Sequence, residues 1–365
     1  MKKTELESAR EVINRIDEEL ARLFQERMEA AKRVALYKKE VGMPIFDAAR
    51  ENEIIRRGGE RVKDETVRGY YINFLHSVMD ISKAYQSRIL EGMHVAFSGV
   101  KGAFAEIAAK KIFPDAIPVG FSDFAEAYRA VEDGRCDVAV LPLENSTNGD
   151  VGTVMDLAFF GSLYVNGVYD VEVVQNLLAK KGATLSDIKI VISHPQTLGQ
   201  CAPFLKKLGV KKEEAVNTAE AAKRIAESDR MDLAAVGSVE AAEDYGLTVL
   251  RSHIHQKGGN TTRFAVFSRT MKEQKPTDRQ FLMLFTVKNE AGALAKAISA
   301  IGENGFNLRA IKSRPTKHLS WEYYFFCEGE GAVFSPEGEK MLAALSENCN
   351  DLKILGSFEK EIVLE

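Results

Sequence analysis

Four cysteines, Cys136, Cys201, Cys327 and Cys349, are scattered through the 365 residues with no C-x-x-C pair and no matching histidine spacing. That disfavours a metal centre and leaves reduced, structural thiols of a cytoplasmic protein as the expectation. No run of eighteen apolar residues is present, so no membrane-spanning helix is expected. The opening Met1-Lys2-Lys3-Thr4-Glu5 leads into an amphipathic pattern instead of an apolar signal core. There is no Lys/Arg-rich tract with interleaved aromatics, and the net charge of −4 argues against nucleic acid as the main partner. The dinucleotide fingerprint G-x-G-x-x-G is missing too. Neither metal nor cofactor is implied. With 45% hydrophobic and 28% charged residues the composition is that of a soluble globular protein. The chain is too long for one core, so two or three domains are expected.

What is present begins with a heptad seam. Leu6, Ala9, Ile13, Ile16, Leu20, Leu23, Arg27, Ala30, Val34, Tyr37 and Val41 follow at alternating steps of three and four, with no Gly or Pro between them. This predicts one unbroken helix with a narrow apolar stripe, roughly 54 Å long at 1.5 Å per residue. No single short partner covers such a stripe, so pairing with a second copy is expected. Arg27 stands where an aliphatic residue belongs, and Lys38 lies about 20° round the helix from it. A seam cation either fixes register, snorkels outward or meets an anion. A second helix is expected from Asp47, with Arg50 and Glu51 in its first turn and Gly58-Gly59 as its stop. A third runs from near Asp64 to about Leu90, and its stripe of Leu75, Val78, Ser82, Gln86 and Ile89 carries two polar residues. Three helices thus bring charged or amide groups to what should be core, which favours a shared cation-rich pocket.

These residues resemble the all-helical chorismate mutase domain, an intertwined dimer of three-helix chains. The resemblance implies an active site at Arg10, Arg27, Lys38, Asp47, Arg50, Glu51, Ser82 and Gln86, with Arg10 serving the partner chain's site. The implied chemistry fits the residue types. Chorismate rearranges pericyclically to prephenate, so the protein need only clamp two carboxylates and stabilise charge on the breaking ether. Arginine forks suit the carboxylates, and Lys38 and Gln86 suit the ether oxygen.

From Gly92 the texture changes to short apolar runs alternating with helical stretches, which predicts an α/β region with mostly parallel sheet, long enough to form two lobes around a cleft. Strands are expected at 94–97, 117–119, 138–141, 190–193, 233–236 and 263–267, and helices at 103–112, 124–132, 197–208, 219–227 and 239–245. Four strand-end segments are more polar than their position requires. They are Ser98 to Phe104, Leu141 to Gly149, Ser193-His194-Pro195-Gln196 with Gln200-Cys201, and Gly258 to Phe264. Singly each has a plain explanation as a cap or turn.

Together they resemble prephenate dehydratase, whose E-N-[ST], S-H-P-Q and T-R-F segments stand here at Glu144-Asn145-Ser146, Ser193 to Gln196 and Thr262-Arg263-Phe264. The resemblance implies a two-lobed, periplasmic-binding-protein-like domain. It implies Thr262 at the leaving hydroxyl, Arg263 on a carboxylate, and Glu144, Asn145, Ser193 and Gln200 in the cleft. Gly102, Ser146, His194 and Phe264 are implied as further substrate contacts. Thr262 would act as the donor with a protonated Glu144 beside it, and His194 is an alternative acid. The family's first turn, G-P-x-G-[ST]-[FY]-[ST], departs here to Gly99-Val100-Lys101-Gly102-Ala103-Phe104-Ala105. Both hydroxyls are replaced by alanine, and each lost hydrogen bond to a charged group costs about 1.5–3 kcal/mol.

After a polar linker at 272–278, the order βαββαβ predicts a ferredoxin-like α+β module. Asn289-Glu290-Ala291-Gly292-Ala293-Leu294 and Ser313-Arg314-Pro315 resemble the two phenylalanine-binding motifs of the regulatory ACT domain, with Lys312 replacing the family's acidic residue. Trp321 is either core or part of that ligand pocket. The expected organisation is therefore a helical mutase domain at 1–92, a dehydratase domain at 93–271 and an ACT domain at 279–365. It implies a bifunctional cytoplasmic enzyme of phenylalanine synthesis, with chorismate and prephenate as substrates and phenylalanine as effector. A homodimer or homotetramer is expected, with no nucleic acid or membrane partner. The alternative is an active mutase whose dehydratase-like domain is degenerate and serves as a ligand-binding or regulatory module.

Overall fold

The computed structural model describes residues 4–255, 259–316, 322–360 and 362–364, which leaves Gly258 and Trp321 outside the described residues. It divides into two compact units, Met1–Met93 and His94–Glu365.

In the first unit the heptad seam forms one helix, α1 (Glu5–Val41). Thr4 and Glu7 cap its start reciprocally, and Gly42 ends it in the left-handed region at φ 70°. Helix α2 (Ala48–Arg61) starts on the Asp47 side-chain cap, and α3 (Glu65–Glu91) on the Asp64 cap. Arg27 reaches the Val78 carbonyl and Lys39 the Leu90 carbonyl, an equal spacing along both helices, so α1 and α3 run parallel. Gly58-Gly59 does not stop α2 as expected, because the helix continues to Arg61. A Cβ on Gly58 would come within 2.3 Å of Leu75 Cδ1, so this glycine permits close approach of α2 to α3.

The second unit begins with a lobe built from β1 (His94–Ser98), α4 (Phe104–Ile112), β2 (Ile117–Phe121), α5 (Phe124–Glu132), β3 (Val138–Asn145), β4 (Gly149–Asp150), α6 (Gly152–Phe160) and β5 (Tyr164–Glu172). The chain then crosses to a second lobe. This contains β6 (Asn176–Ala179), β7 (Ile190–Ser193), α7 (Pro195–Gln200), α8 (Ala202–Leu208), β8 (Lys211–Glu214), α9 (Thr218–Glu227), β9 (Leu233–Gly237), α10 (Val239–Asp244) and β10 (Thr248–Arg251). It returns to the first lobe as β11 (Thr261–Ser268), and the two crossings are tied by the Val173 N–H donating to the Asn260 carbonyl at 2.7 Å.

The sheets are mixed, not mostly parallel. Strands β2, β1 and β3 are parallel neighbours, but β11 lies antiparallel between β3 and β5. In the second lobe β8, β7 and β9 are parallel, while β6 runs antiparallel to both of its neighbours, β9 and β10. A strand that returns from the other lobe enters its sheet from the opposite end, which accounts for the antiparallel β11. The helix expected at 197–208 is interrupted at Cys201, giving α7 and α8.

The last module is β12 (Gln280–Thr286), α11 (Ala293–Glu303), β13 (Asn307–Pro315), β14 (Tyr323–Glu330), α12 (Pro336–Ser346) and β15 (Asp351–Phe358), with sheet order β13-β14-β12-β15. This is the βαββαβ arrangement expected. Along β12, Phe281, Met283 and Phe285 pack with Ile301, Met341 and Leu345, whereas Leu282 and Leu284 join Leu141, Val165 and Phe267 of the first lobe. Burial on both faces explains why this strand reads as an unbroken apolar run. A final strand, β16 (Ile362–Leu364), pairs parallel to β5.

Cys136, Cys201 and Cys327 are buried free thiols. Burial pushes Cys136 up to about 11 and Cys201 up to about 12, so neither forms the reactive thiolate near neutral pH. Among the described residues no helix is long and apolar enough to cross a membrane.

Candidate active sites

In the first unit, Arg27 and Lys38 of α1, Asp47, Arg50 and Glu51 at the start of α2, and Ser82 and Gln86 of α3 line one cavity of about 320 Å³. Of the residues expected there, only Arg10 stays outside, on the exposed amino-terminal part of α1. Of the cations lining the cavity, Arg50 pairs with Glu53 at 2.6 Å, whereas Arg27 and Lys38 have neutral partners. Arg27 Nη1 donates to the Val78 carbonyl at 3.4 Å and Lys38 Nζ to the Ile45 carbonyl at 2.6 Å. Burial lowers the Arg27 pKa, and among the described residues no carboxylate pairs with it. A guanidinium desolvated in this way is stabilised by an anion that enters the cavity. Gln86 Nε2 donates to Ser82 Oγ at 3.4 Å, while its buried Oε1 has no partner among the described residues. A ligand inside the cavity would satisfy that oxygen.

Sequence reasoning missed Lys83, which also lines the cavity. It lies about 100° from Ser82, off the apolar stripe, so the stripe gave no signal for it. Its Nζ meets Glu51 at 3.1 Å and Asp80 at 3.0 Å. Burial works against this ammonium, but the hydrogen bonds to Asp80 and Glu51 outweigh it and raise the pKa. Glu51 is thereby oriented, and Arg27 and Lys38 remain for the ligand.

In the second unit a cavity of about 320 Å³ is lined from both lobes. Asn145, Thr262 and Phe264 face it from the first lobe, and His194 and Gln200 from the second. Among the described residues that line it, none is an Asp, Glu, Lys or Arg. Its polarity comes from amides, hydroxyls, an imidazole and helix starts. Ala103 and Val151, which precede α4 and α6, both line the cavity, and neither helix start has a side-chain cap. Uncapped first-turn N–H groups favour an anion there.

Hydrogen-bond polarity fixes how the side chains present themselves. The backbone N–H groups of Thr147 and Asn148 donate to Asn145 Oδ1, so Asn145 Nδ2 faces the other way and donates to Thr262 Oγ1 at 2.8 Å. The Thr262 hydroxyl accepts that bond and retains its own proton to donate. His194 Nδ1 accepts from the Gln196 N–H at 3.3 Å, so in the neutral ring Nε2 carries the proton.

Several expected contacts lie elsewhere. Successive side chains of a strand point to opposite faces, so Thr262 and Phe264 line the cavity while Arg263 between them does not. Arg263 Nη1 instead meets Glu328 at 2.9 Å and Glu144 at 3.4 Å, and Lys312 Nζ meets Glu144 at 3.0 Å and Asp150 at 2.5 Å. Glu144 and Arg263 therefore form an ionic cluster with β13 and β14, behind the strands that carry Asn145 and Thr262. Ser193 is fully buried, donating to the Val236 carbonyl at 2.9 Å. Ser146 ties β3 to the return crossing through the Gly259 carbonyl and the Thr261 N–H, each at 3.0 Å. Gly102 turns the chain at φ 82°, where a Cβ would meet Ala241 Cβ at 3.0 Å. None of the three lines the cavity.

Ala103 and Ala105, which stand at the two hydroxyl positions of the family turn, both line this cavity. Ala103 sits at the α4 N-cap with no side-chain hydrogen bond. Ala103→Ser should supply a cap worth about 1 kcal/mol, raising the unfolding midpoint of the second unit by about 2–4 °C in calorimetry. An unchanged or lowered midpoint would contradict this account of the turn.

In the last module Gly292 opens α11 at φ 83° with no side-chain cap, and Ala293 and Leu294 form its first turn. Asn289 is exposed just before it. On β13, exposed Ser313 and Pro315 alternate with half-buried Lys312 and Arg314. Arg314 binds Asp156 of α6 through Nε at 2.8 Å and Nη2 at 3.0 Å, and the Tyr324 hydroxyl donates to the same carboxylate at 2.7 Å. That guanidinium is engaged by the first lobe, which differs from the expected ligand contact.

A helical cavity with unneutralised cations and a two-lobed cleft of neutral donors define a chain with two centres, each suited to a small anion. Residues 9–87 match the family model "Chorismate mutase type II", and residues 95–272 match "Prephenate dehydratase". The bifunctional chorismate mutase/prephenate dehydratase of Aquifex aeolicus is 34% identical over 99% of this chain and 99% of its own. Among solved structures, prephenate dehydratase from Arthrobacter aurescens in complex with L-Phe aligns with TM-score 0.68 at 26% identity, covering 75% of this chain and 93% of that one. GqqA, described as a novel type of quorum quenching acylase, also aligns with TM-score 0.68, at 30% identity over 74% of this chain and 98% of that one. The chain belongs to the bifunctional chorismate mutase/prephenate dehydratase family.

Proposed function

We propose that the helical unit converts chorismate to prephenate and that the two-lobed cleft converts prephenate to phenylpyruvate, in the synthesis of phenylalanine. The observation that carries the first reaction is Arg27, half-desolvated beside a cavity and without a carboxylate partner. Arg27 and Arg50 clamp the substrate carboxylates, Lys38 and Gln86 donate to the ether oxygen as it takes up charge, and Glu51 and Asp47 orient the substrate hydroxyl and the cations. In the cleft, Thr262 donates its proton to the departing hydroxide, with the orientation that Asn145 imposes. Loss of CO2 and aromatisation drive the step. Carboxylate binding falls to Gln200, His194 and the uncapped starts of α4 and α6. Acyl transfer would require an activated nucleophile, and Thr262 has an amide as its partner where a base would be needed.

The domain assignments follow as 1–92, 93–271 and 279–365, the last an ACT domain that binds phenylalanine near Asn289 to Leu294 and Ser313 to Pro315. The protein acts in the cytoplasm as a homodimer or homotetramer. Support for pairing comes from α1, where Leu6, Ile13, Ile16, Leu20 and Leu23 are 44–59% exposed, an apolar stripe that a second copy would bury. That pairing would bring Arg10 to the partner's cavity. One assay tests the scheme: products are followed from chorismate with and without phenylalanine. Phenylpyruvate formation that falls on adding phenylalanine is expected. Prephenate accumulating without phenylpyruvate would instead favour a degenerate dehydratase domain that only binds ligand.

A further inference from the structure

Asn260 is 4% exposed and spans the two lobes. Its Oδ1 accepts from Asn145 Nδ2 of the first lobe at 2.9 Å, and its Nδ2 donates to Gln200 Oε1 of the second at 3.1 Å. The direction of each bond is set from one end. The Thr147 and Asn148 backbone N–H groups can only donate, at 3.0 and 3.1 Å, so the Asn145 oxygen must face them. Its NH2 then faces Asn260, which must meet it with oxygen and turn its own NH2 to Gln200. Gln200 accepts with its oxygen and has only its NH2 left to offer the cavity it lines.

We propose that Asn260 is a positioning residue for the dehydratase reaction, acting through Gln200. It carries the polarity of the Asn145 turn across the cleft and so obliges Gln200 to meet a substrate carboxylate as a donor. A glutamine amide held by nothing presents its oxygen as readily as its nitrogen, and an oxygen facing a carboxylate repels it. The inference rests on the dehydratase reading of this cavity.

Asn260→Asp keeps the shape of the side chain but replaces its donor with an acceptor. The aspartate still accepts from Asn145, while Gln200 must now donate to it and turn oxygen toward the substrate. KM for prephenate is expected to rise about tenfold or more, with a smaller change in kcat. Asn260→Ser removes the relay without reversing it and should raise KM less. A residue that merely fills space predicts the reverse order, because Asp matches Asn in volume and Ser leaves a gap. In a Gln200→Ala background, Asn260→Asp should add little further cost. Equal cost in both backgrounds would overturn the relay, as would unchanged KM in both single variants of an enzyme whose parent turns over prephenate. Should Asn260→Asp fail to fold, Asn260→Ser in the two backgrounds decides by the same comparison. A parent that does not turn over prephenate would remove the dehydratase reading and this inference with it.

Discussion

Arg27→Ala is expected to lower kcat/KM for chorismate by about 10²–10³-fold while leaving the helices folded. The guanidinium lines the helical cavity, is lowered in pKa by burial, and is met by the Val78 carbonyl at 3.4 Å. Truncation removes a partly desolvated cation that no carboxylate of the described residues neutralises. The thermal midpoint should therefore hold or rise even as turnover falls, since an uncompensated charge opposes folding. Arg27→Lys should fall between, keeping the charge but losing the planar fork that grips carboxylate. Chorismate disappearance and thermal unfolding of the same samples check both arms, with supplied prephenate reporting on the other centre. Near-normal chorismate turnover by Arg27→Ala would remove this residue from the chemistry. A large fall in midpoint would show a structural role instead.

Thr262→Ala should reduce phenylpyruvate formation by about 10²–10³-fold and leave prephenate formation from chorismate intact. Asn145 Nδ2 has the Asn260 oxygen at 2.9 Å and the Thr261 carbonyl at 3.2 Å as other acceptors, so losing the Thr262 oxygen leaves no orphaned donor. The structural cost is accordingly small, and what disappears is the proton offered to the leaving hydroxide. Thr262→Ser, which keeps the hydroxyl, should recover most of the rate. Product analysis from chorismate should then show prephenate accumulating in the alanine variant. Equal loss of both activities, or of neither, would count against Thr262 as the donor.

The helical centre was legible because helical periodicity is local. Arg27 on the seam and Ser82 and Gln86 on the third stripe announced themselves as polar residues at apolar positions, and all three line the cavity. Lys83 escaped because it stands off the stripe, and Gly58-Gly59 misled because a glycine pair reads equally as a stop or as a close approach. In the cleft the sequence brought the right segments together but not the right faces. Glu144-Asn145 and Thr262-Arg263 each read as one motif, yet each pair straddles a strand. Which member faces the cavity depends on how β3 pairs with β11, and β11 is held on its other side by β5, a strand the sequence does not announce. Its Asn166, Gly167 and Asp170 break the apolar alternation. Asn260 carried no signal of its own, since its role depends on a partner sixty residues away on the other lobe.

The last module shares an interior with the first lobe. Leu282, Leu284, Tyr324, Phe326, Leu355 and Phe358 belong to the same apolar cluster as Leu141, Val165 and Phe267, and β16 extends the first lobe's sheet beside β5. Ending the chain near Arg269 would therefore bare greasy surface on the catalytic lobe, take Glu328 away from Arg263 and leave Asp156 without Arg314. In a shortened enzyme, injury to the scaffold and loss of an effector site give the same loss of response, so the proposed phenylalanine site is better silenced by point changes than amputated.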